Sequence, residues 1–275
     1  MSARPTVQGL PEALQGTQVS QLVESLPDAV VCDMYDPRGS VVYDDFTSMN
    51  SHEVHEVLRM VRATQGRILE LAAGSGRVTL PLLTLGREVV AVDLSDSMLR
   101  LLSERISRLP QKMQQLCSPV RGDITSYELK EPAAVAVLPT TSVSLLSDVQ
   151  RLEMLRTTRN NLEAGGTFLL TTYQLNSEVD DLSERVIHAA GVSGTEYQLH
   201  DIVTPDRRGR YSVVIGPETE QGQTVCHSYI RIIPANTLKA DLENSGFLVE
   251  DLRIQSLAGE PRYANVFIRA RKGDR

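Results

Sequence analysis

The chain has 275 residues, 41% hydrophobic and 23% charged, enough for one large domain with an embellishment and a core that needs neither metal nor disulfide. No apolar run approaches the roughly 18 residues of a membrane span and the start carries no export pattern, so no membrane and a cytoplasmic location are expected. The net charge of −7 disfavours a scaffold that neutralises nucleic-acid phosphates, and Cys32, Cys117 and Cys226, odd in number and far apart, suit neither a zinc site nor a disulfide framework and read as reduced structural thiols.

Residues 1 to about 30 mix Gly, Pro, Gln and Ser around one weakly amphipathic stretch, Val19 to Leu26, and read as a lead-in or lid extending to about residue 50. From His52 to Arg62, Val54, Val57, Leu58 and Val61 recur at helical spacing. Arg67 to Leu71 reads as a buried strand, Arg77 to Leu85 as a helix closed by Gly86, and Glu88 to Asp93 as a second buried strand. Ser95 or Ser97 caps the next helix, on which Met98, Leu101, Leu102 and Ile106 share a face. Val120 to Ile124 and Ala133 to Leu138 supply two more strands, Val149 to Leu162 a helix ending at Gly165-Gly166, and Thr167 to Tyr173 a fifth strand. Two alternating segments, Tyr211 to Ile215 and Val225 to Ile233, predict an antiparallel hairpin inserted at about 174–232. A helix at Thr237 to Asn244 and strands at Phe247 to Gln255 and Tyr263 to Arg271 close the chain. The pattern is α/β: a Rossmann-like, seven-stranded, mostly parallel sheet over 51–275, with helices on both faces and the hairpin or lid inserted.

Between the first strand and its helix stands Glu70-Leu71-Ala72-Ala73-Gly74-Ser75-Gly76. A strand-to-helix turn whose amides face a ligand needs residues without bulky side chains, which Gly74 and Gly76 supply, and Asp93, 19 residues after Gly74, ends the next strand as an acceptor for two ribose hydroxyls. A dinucleotide site wants a third glycine where Thr79 stands, and Glu70 would repel a pyrophosphate. The same carboxylate suits a cationic cofactor such as S-adenosylmethionine.

Glu70-x-Ala72-x-Gly74-x-Gly76 resembles the first motif of the class I S-adenosylmethionine-dependent methyltransferases, with Ala72 in place of the usual first glycine. The resemblance extends over roughly residues 43 to 271. Gly122-Asp123-Ile124 resembles the third motif, whose acidic residue meets the adenine amino group. Leu138-Pro139-Thr140-Thr141-Ser142 lies where the fourth motif lines the methyl-transfer cavity, Leu162 to Phe168 resembles the loop before the fifth strand, and Ile233 to Val249 the closing strand, helix and strand. The implied cofactor set is Tyr43, Glu70, Ala72, Gly74, Gly76, Asp93, Leu94, Met98, Gly122, Asp123, Ile124 and Leu138, with S-adenosylhomocysteine as product.

Tyr43-Asp44-Asp45-Phe46 resembles an element that closes over the cofactor in relatives that methylate amines, and His200 falls in the inserted region, where an imidazole could accept a proton from the nucleophile. Tyr43 and His200 are therefore the catalytic candidates, with packing and a satisfied structural histidine as their bland alternatives, and Asp44 and Asp45 could orient an amine. His52-Glu53-Val54-His55-Glu56 lacks the H-E-x-x-H spacing and reads as a solvated helix face, with no metal assigned. Arg207, Arg208 and Arg210 read as a hairpin tip in water.

The expected function is methyl transfer to an amine nitrogen, including N,N-dimethylation, of a small molecule or peptide. The resemblance is closest to bacterial natural-product N-methyltransferases, of the amino-sugar N,N-dimethyltransferase kind or of daptide-type ribosomal peptides. No nucleic-acid partner is expected, and a homodimer is one assembly open to it. An O-methyltransferase, an NAD-dependent oxidoreductase and a catalytically silent partner subunit are the alternatives.

Overall fold

The structure, a computed structural model, describes residues 9–26, 28–47, 52–139, 141–220, 222–257 and 260–274. The chain divides into two compact units, the first made of Met1–Met49 with Asp180–Ile230 and the second of Asn50–Val179 with Arg231–Arg275.

Helix α1 (Gln18–Glu24), strand β1 (Ala29–Asp33) and helix α2 (Gly39–Thr47) open the first unit. The second takes up α3 (His52–Arg62), β2 (Ile68–Leu71), α4 (Thr79–Leu83), β3 (Val89–Asp93), α5 (Asp96–Ser107), α6 (Gln111–Gln114), β4 (Cys117–Arg121), β5 (Ala133–Leu138), α7 (Asp148–Asn161) and β6 (Leu162–Leu175). The chain then returns to the first for β7 (Arg185–Ala190), β8 (Glu196–Val203), β9 (Gly209–Ile215) and β10 (Gln223–Arg231), and closes the second with α8 (Ala235–Asn244), β11 (Phe247–Leu257) and β12 (Glu260–Lys272).

The second unit is the expected α/β architecture. Its seven strands lie in the order β11-β12-β6-β5-β2-β3-β4. Neighbours from β6 to β4 are parallel, while β12 is antiparallel to both β6 and β11. Strand alternation sorts the core into two layers. Leu69, Leu71, Ala136, Leu138 and Phe168 pack with Met154 and Leu155 of α7 and Leu238 and Leu242 of α8. Ile68, Val89, Ala91, Val135 and Val137 pack on the other face with Val57 and Val61 of α3, Leu82 of α4 and Leu102 of α5. Each fully buried Val, Leu, Ile, Phe or Met among them contributes roughly 1.5–3 kcal/mol, which is why these strands read as continuous apolar runs. The strand order reverses between β2's neighbours, so the carboxyl ends of β2, β3 and β5 open a crevice at the switch point.

The first unit corrects the expectation of a lone hairpin and of a lead-in or lid without a strong element. Its five-stranded sheet runs β1-β10-β9-β8-β7, with β1 parallel to β10 and β7, β8 and β9 antiparallel in turn. Leu14 and α1 residues Val19 and Val23 pack on one face against Val213, Ile215 and Val225. On the other, Met34, Tyr197, Val214 and Cys226 pack with Val42, Tyr43 and Phe46 of α2. Strand β1 has no fully buried residue and β7 alternates only between half-buried and exposed, so neither gave a strong apolar period.

Candidate functional site

The turn after β2 is built for close approach by a ligand. Glu70 is fully buried on β2, on the layer of Ile68. The backbone then turns through Ala72 at φ 53°, Gly74 at φ 57° and Gly76 at φ 94°. The Ala73 amide donates to the Val92 carbonyl at 3.0 Å, and the Gly76 amide closes back on the Ala73 carbonyl at 3.1 Å. Gly76 has no room for a side chain, because a Cβ there would stand 2.5 Å from Leu102 Cδ1 on α5, whereas the same position at Gly74 faces open space. One glycine lets the helix pack; the other keeps the ligand face clear.

Asp93, at the carboxyl end of β3, joins this turn to the next. Its Oδ2 accepts from the Gly74 amide at 2.7 Å and its Oδ1 from the Ser95 amide at 2.8 Å. Burial pushes its carboxyl up, against the pull of the backbone amides of Ser95, Gly74 and Leu94. Ser95 caps α5 by accepting from the Met98 amide, as its position after the strand implied. Leu94 is 64% exposed beside this carboxylate. Met98 and Leu138, expected in the cofactor set, are buried, at the start of α5 and the end of β5.

The third strand ends at Arg121, three residues earlier than expected, so Gly122-Asp123-Ile124 lies in the turn beyond it. The Gly122 amide donates to the Asp93 carbonyl at 3.0 Å, which sets this turn beside the first. Asp123 is exposed, and its Oδ1 accepts from the Thr125 amide and hydroxyl at 2.8 and 2.7 Å, an Asx turn that ends the strand and explains the shift. Ile124 packs against the core. Thr140 of the fourth motif lies outside the described residues. Its neighbour Thr141 takes φ 58°, a left-handed conformation rare for a β-branched residue.

Beside this turn, among the described residues, Glu70 stands out as a buried carboxyl whose needs the protein leaves unmet. Both of its oxygens are buried without a hydrogen-bond partner among the described residues, and so is the neighbouring Thr79 hydroxyl. Burial raises its carboxyl to about 8, against smaller lowering by Thr79 and the Arg77 charge. An unpartnered buried carboxyl beside an open glycine turn fits a cofactor that brings an ammonium group and ribose hydroxyls, the latter for Asp93.

Two further residues, Arg105 and Glu53, brace this turn and its helix and were not legible in the sequence. Arg105 of α5 donates through Nη1 to the Ser75 carbonyl at 3.0 Å and to its Oγ at 3.3 Å. Glu53 is 5% exposed, pairs with Arg77 at 2.6 Å and accepts from the Thr171 hydroxyl of β6. The solvated-face reading of 52–56 therefore fails at Glu53, which shares the buried stripe of Val57, Met60 and Val61 at helical spacing.

The catalytic candidates Tyr43 and His200 belong to the first unit. Tyr43 packs in its core, its ring 5.4 Å from that of Tyr35. His200 is 2% exposed, with Nδ1 2.6 Å from Glu184 Oε1 and Nε2 2.9 Å from the Gln198 amide nitrogen, so both ring nitrogens are engaged. Glu184 also accepts from the Gln18 and Val19 amides, holding the first turn of α1. Asp45 accepts from the Ser193 amide and hydroxyl at 2.7 Å each and from the Tyr197 hydroxyl at 2.9 Å. Arg207 stands in the turn between β8 and β9 at φ 60°, and Arg210 reaches across to Asp201 at 3.0 Å.

A model of the methyltransferase domain matches residues 68–166, the stretch from β2 into β6. Over 92% of this chain and 97% of its own, the glycopeptide N-methyltransferase MtfA, solved with S-adenosylmethionine and with S-adenosylhomocysteine, superposes with 27% identity and a TM-score of 0.62 for the former complex. The CcbJ methyltransferase from Streptomyces caelestis shares the fold at 21% identity and a TM-score of 0.71, covering 88% of this chain and 98% of its own. So does CalS10, an amino pentose methyltransferase from Micromonospora echinaspora, at 16% identity and 0.62, covering 80% and 90%. No curated protein matches the chain by sequence.

Proposed function

We propose that the chain is an S-adenosylmethionine-dependent methyltransferase of class I fold that methylates an amine nitrogen of a natural product or ribosomal peptide, once or twice. The observation that carries the nitrogen target is the likeness to the glycopeptide N-methyltransferase, which runs through 92% of the chain and so includes sequence from both units. The charge distribution supports it. The first unit holds 15 acidic and six basic residues, a net −9, while the second holds 20 acidic and 22 basic, a net +2. An amine-bearing, cationic substrate is drawn to such a unit, and substrate choice is assigned to it.

S-adenosylmethionine supplies a sulfonium methyl, transferred by in-line displacement to a neutral amine. The residues of the second unit would bind and orient it. Glu70 would meet the ammonium, and the Gly74 turn would leave the approach clear. Asp93, already fixed by two backbone amides, would accept from the ribose hydroxyls with its remaining lone pairs. Asp123, in the turn beside it, would take the adenine amino group. Little acid or base machinery is required, since an amine that sheds its proton in a partly desolvated pocket is already the nucleophile.

The test is mass spectrometry of amine and hydroxyl substrates incubated with the purified protein and S-adenosylmethionine. Mono- or dimethylation of one amine is expected, and methylation confined to hydroxyls overturns the nitrogen assignment. Asp93→Ala should weaken S-adenosylhomocysteine binding by about 1–3 kcal/mol in calorimetry; unchanged affinity would move the ribose site elsewhere.

A further inference from the structure

In the first unit two of the three cysteines, 194 residues apart in sequence, come together. Cys32 of β1 and Cys226 of β10 are directly opposed in the parallel ladder, with their sulfurs 3.5 Å apart. Opposed residues on adjacent strands have Cα atoms about 5 Å apart, inside the roughly 4.4–6.8 Å that a disulfide spans, and the sulfurs have only to close from 3.5 Å to a bond of about 2.05 Å. Cys226 is fully buried and Cys32 half-buried, so Cys32 is the more accessible of the two.

We propose that Cys32 and Cys226 form a peroxide-sensitive thiol pair that closes to a reversible disulfide between β1 and β10. The Cys32 thiolate attacks one oxygen of hydrogen peroxide; the O–O bond breaks, hydroxide leaves, and Cys32 becomes a sulfenic acid. The Cys226 sulfur then attacks the Cys32 sulfur, the S–S bond forms as the S–O bond breaks, and the departing hydroxide takes the Cys226 proton as water. Two thiols and one peroxide yield one disulfide and two waters, and an external dithiol reverses the change by exchange. The order follows from access and from the contact itself, since the contact between the two sulfurs holds the Cys32 thiol below its ordinary range while the same contact and burial push Cys226 up. Cys117 is the internal control, half-buried on β4 and pushed up to about 12 by burial.

The full-length protein is treated with hydrogen peroxide, quenched, unfolded, alkylated and digested for mass spectrometry. Reactive thiols should fall from three to one, with a peptide linking Cys32 to Cys226, Cys117 alkylated, and all three thiols recovered with dithiothreitol. Cys226→Ser should leave a Cys32 sulfenic acid that dimedone captures, Cys32→Ser should leave Cys226 unmodified, and Cys117→Ser should behave as the native chain. Three alkylated cysteines after peroxide, or a link through Cys117, overturns the proposal.

Discussion

Ala72 carries a methyl group at φ 53°, where a side chain costs roughly 1–2 kcal/mol and a glycine nothing. Ala72→Gly should therefore raise stability by up to about 1 kcal/mol in urea unfolding, the extra freedom of glycine in the unfolded chain offsetting part of the relief. A loss of stability would show that the methyl group packs usefully. Glu70 makes a pH prediction with a definite sign. Its folded value, about 8, lies above the ordinary 4.5, so the native state binds the proton more tightly than the unfolded chain. Its effect on stability is level below pH 4.5, and stability falls as pH rises from there through 8. Glu70→Gln should flatten that decline in melting temperature against pH while weakening S-adenosylhomocysteine binding. In the native protein the same pairing should release a proton when the ligand binds at neutral pH, seen as a dependence of calorimetric heat on buffer ionisation enthalpy. A variant whose melting profile still falls in parallel with the native one would show that Glu70 is not the titrating group.

Among elements, α5 does more than cover the sheet. Its first turn is capped by Ser95 beside Asp93, its middle presses Leu102 on Gly76, and its last turn sends Arg105 to the Ser75 carbonyl. Arg105→Ala should loosen the turn at a cost of about 1 kcal/mol, raising KM for S-adenosylmethionine roughly fivefold with kcat little changed; an equal fall in kcat would mean that the turn shapes the reacting geometry as well. The elements that sequence patterns disclosed are those whose burial is two-sided or strongly periodic: β2, β3, β5, β6 and α3 were legible from Ile68, Val89, Val135 and their alternating neighbours. Gly74, Gly76 and Asp93 were legible because a ligand turn restricts residue type. Strand β1 was not, since its partner β10 lies far off in sequence, and neither were β7 and β8, which pair with near neighbours but mix polar and charged residues among few buried apolar ones. Arg105 and Glu53 escaped for a related reason: a charged residue on a helix is ordinarily solvated, and only the fold shows which one turns inward to a carbonyl or to Arg77.

At the scale of the whole molecule the charge is segregated, −9 on one unit and +2 on the other. Attraction of a cationic substrate should weaken as the screening length falls from about 30 Å at 0.01 M salt to about 10 Å at 0.1 M. We expect kcat/KM for an amine-bearing substrate to drop several-fold over that range, while KM for S-adenosylmethionine changes less; insensitivity to salt would remove the acidic unit from substrate capture. The first unit's sheet also has a history written into its connectivity. Strand β1 leaves the ribosome early, yet its partner β10 follows 194 residues later at the Cys32 and Cys226 pair, a delay of about 10–40 s at ordinary rates of synthesis. For that interval a nascent strand with unsatisfied edges must be kept from pairing wrongly while residues 50–179 of the second unit are synthesised, so assembly of this sheet is a late, long-range step exposed to misassembly.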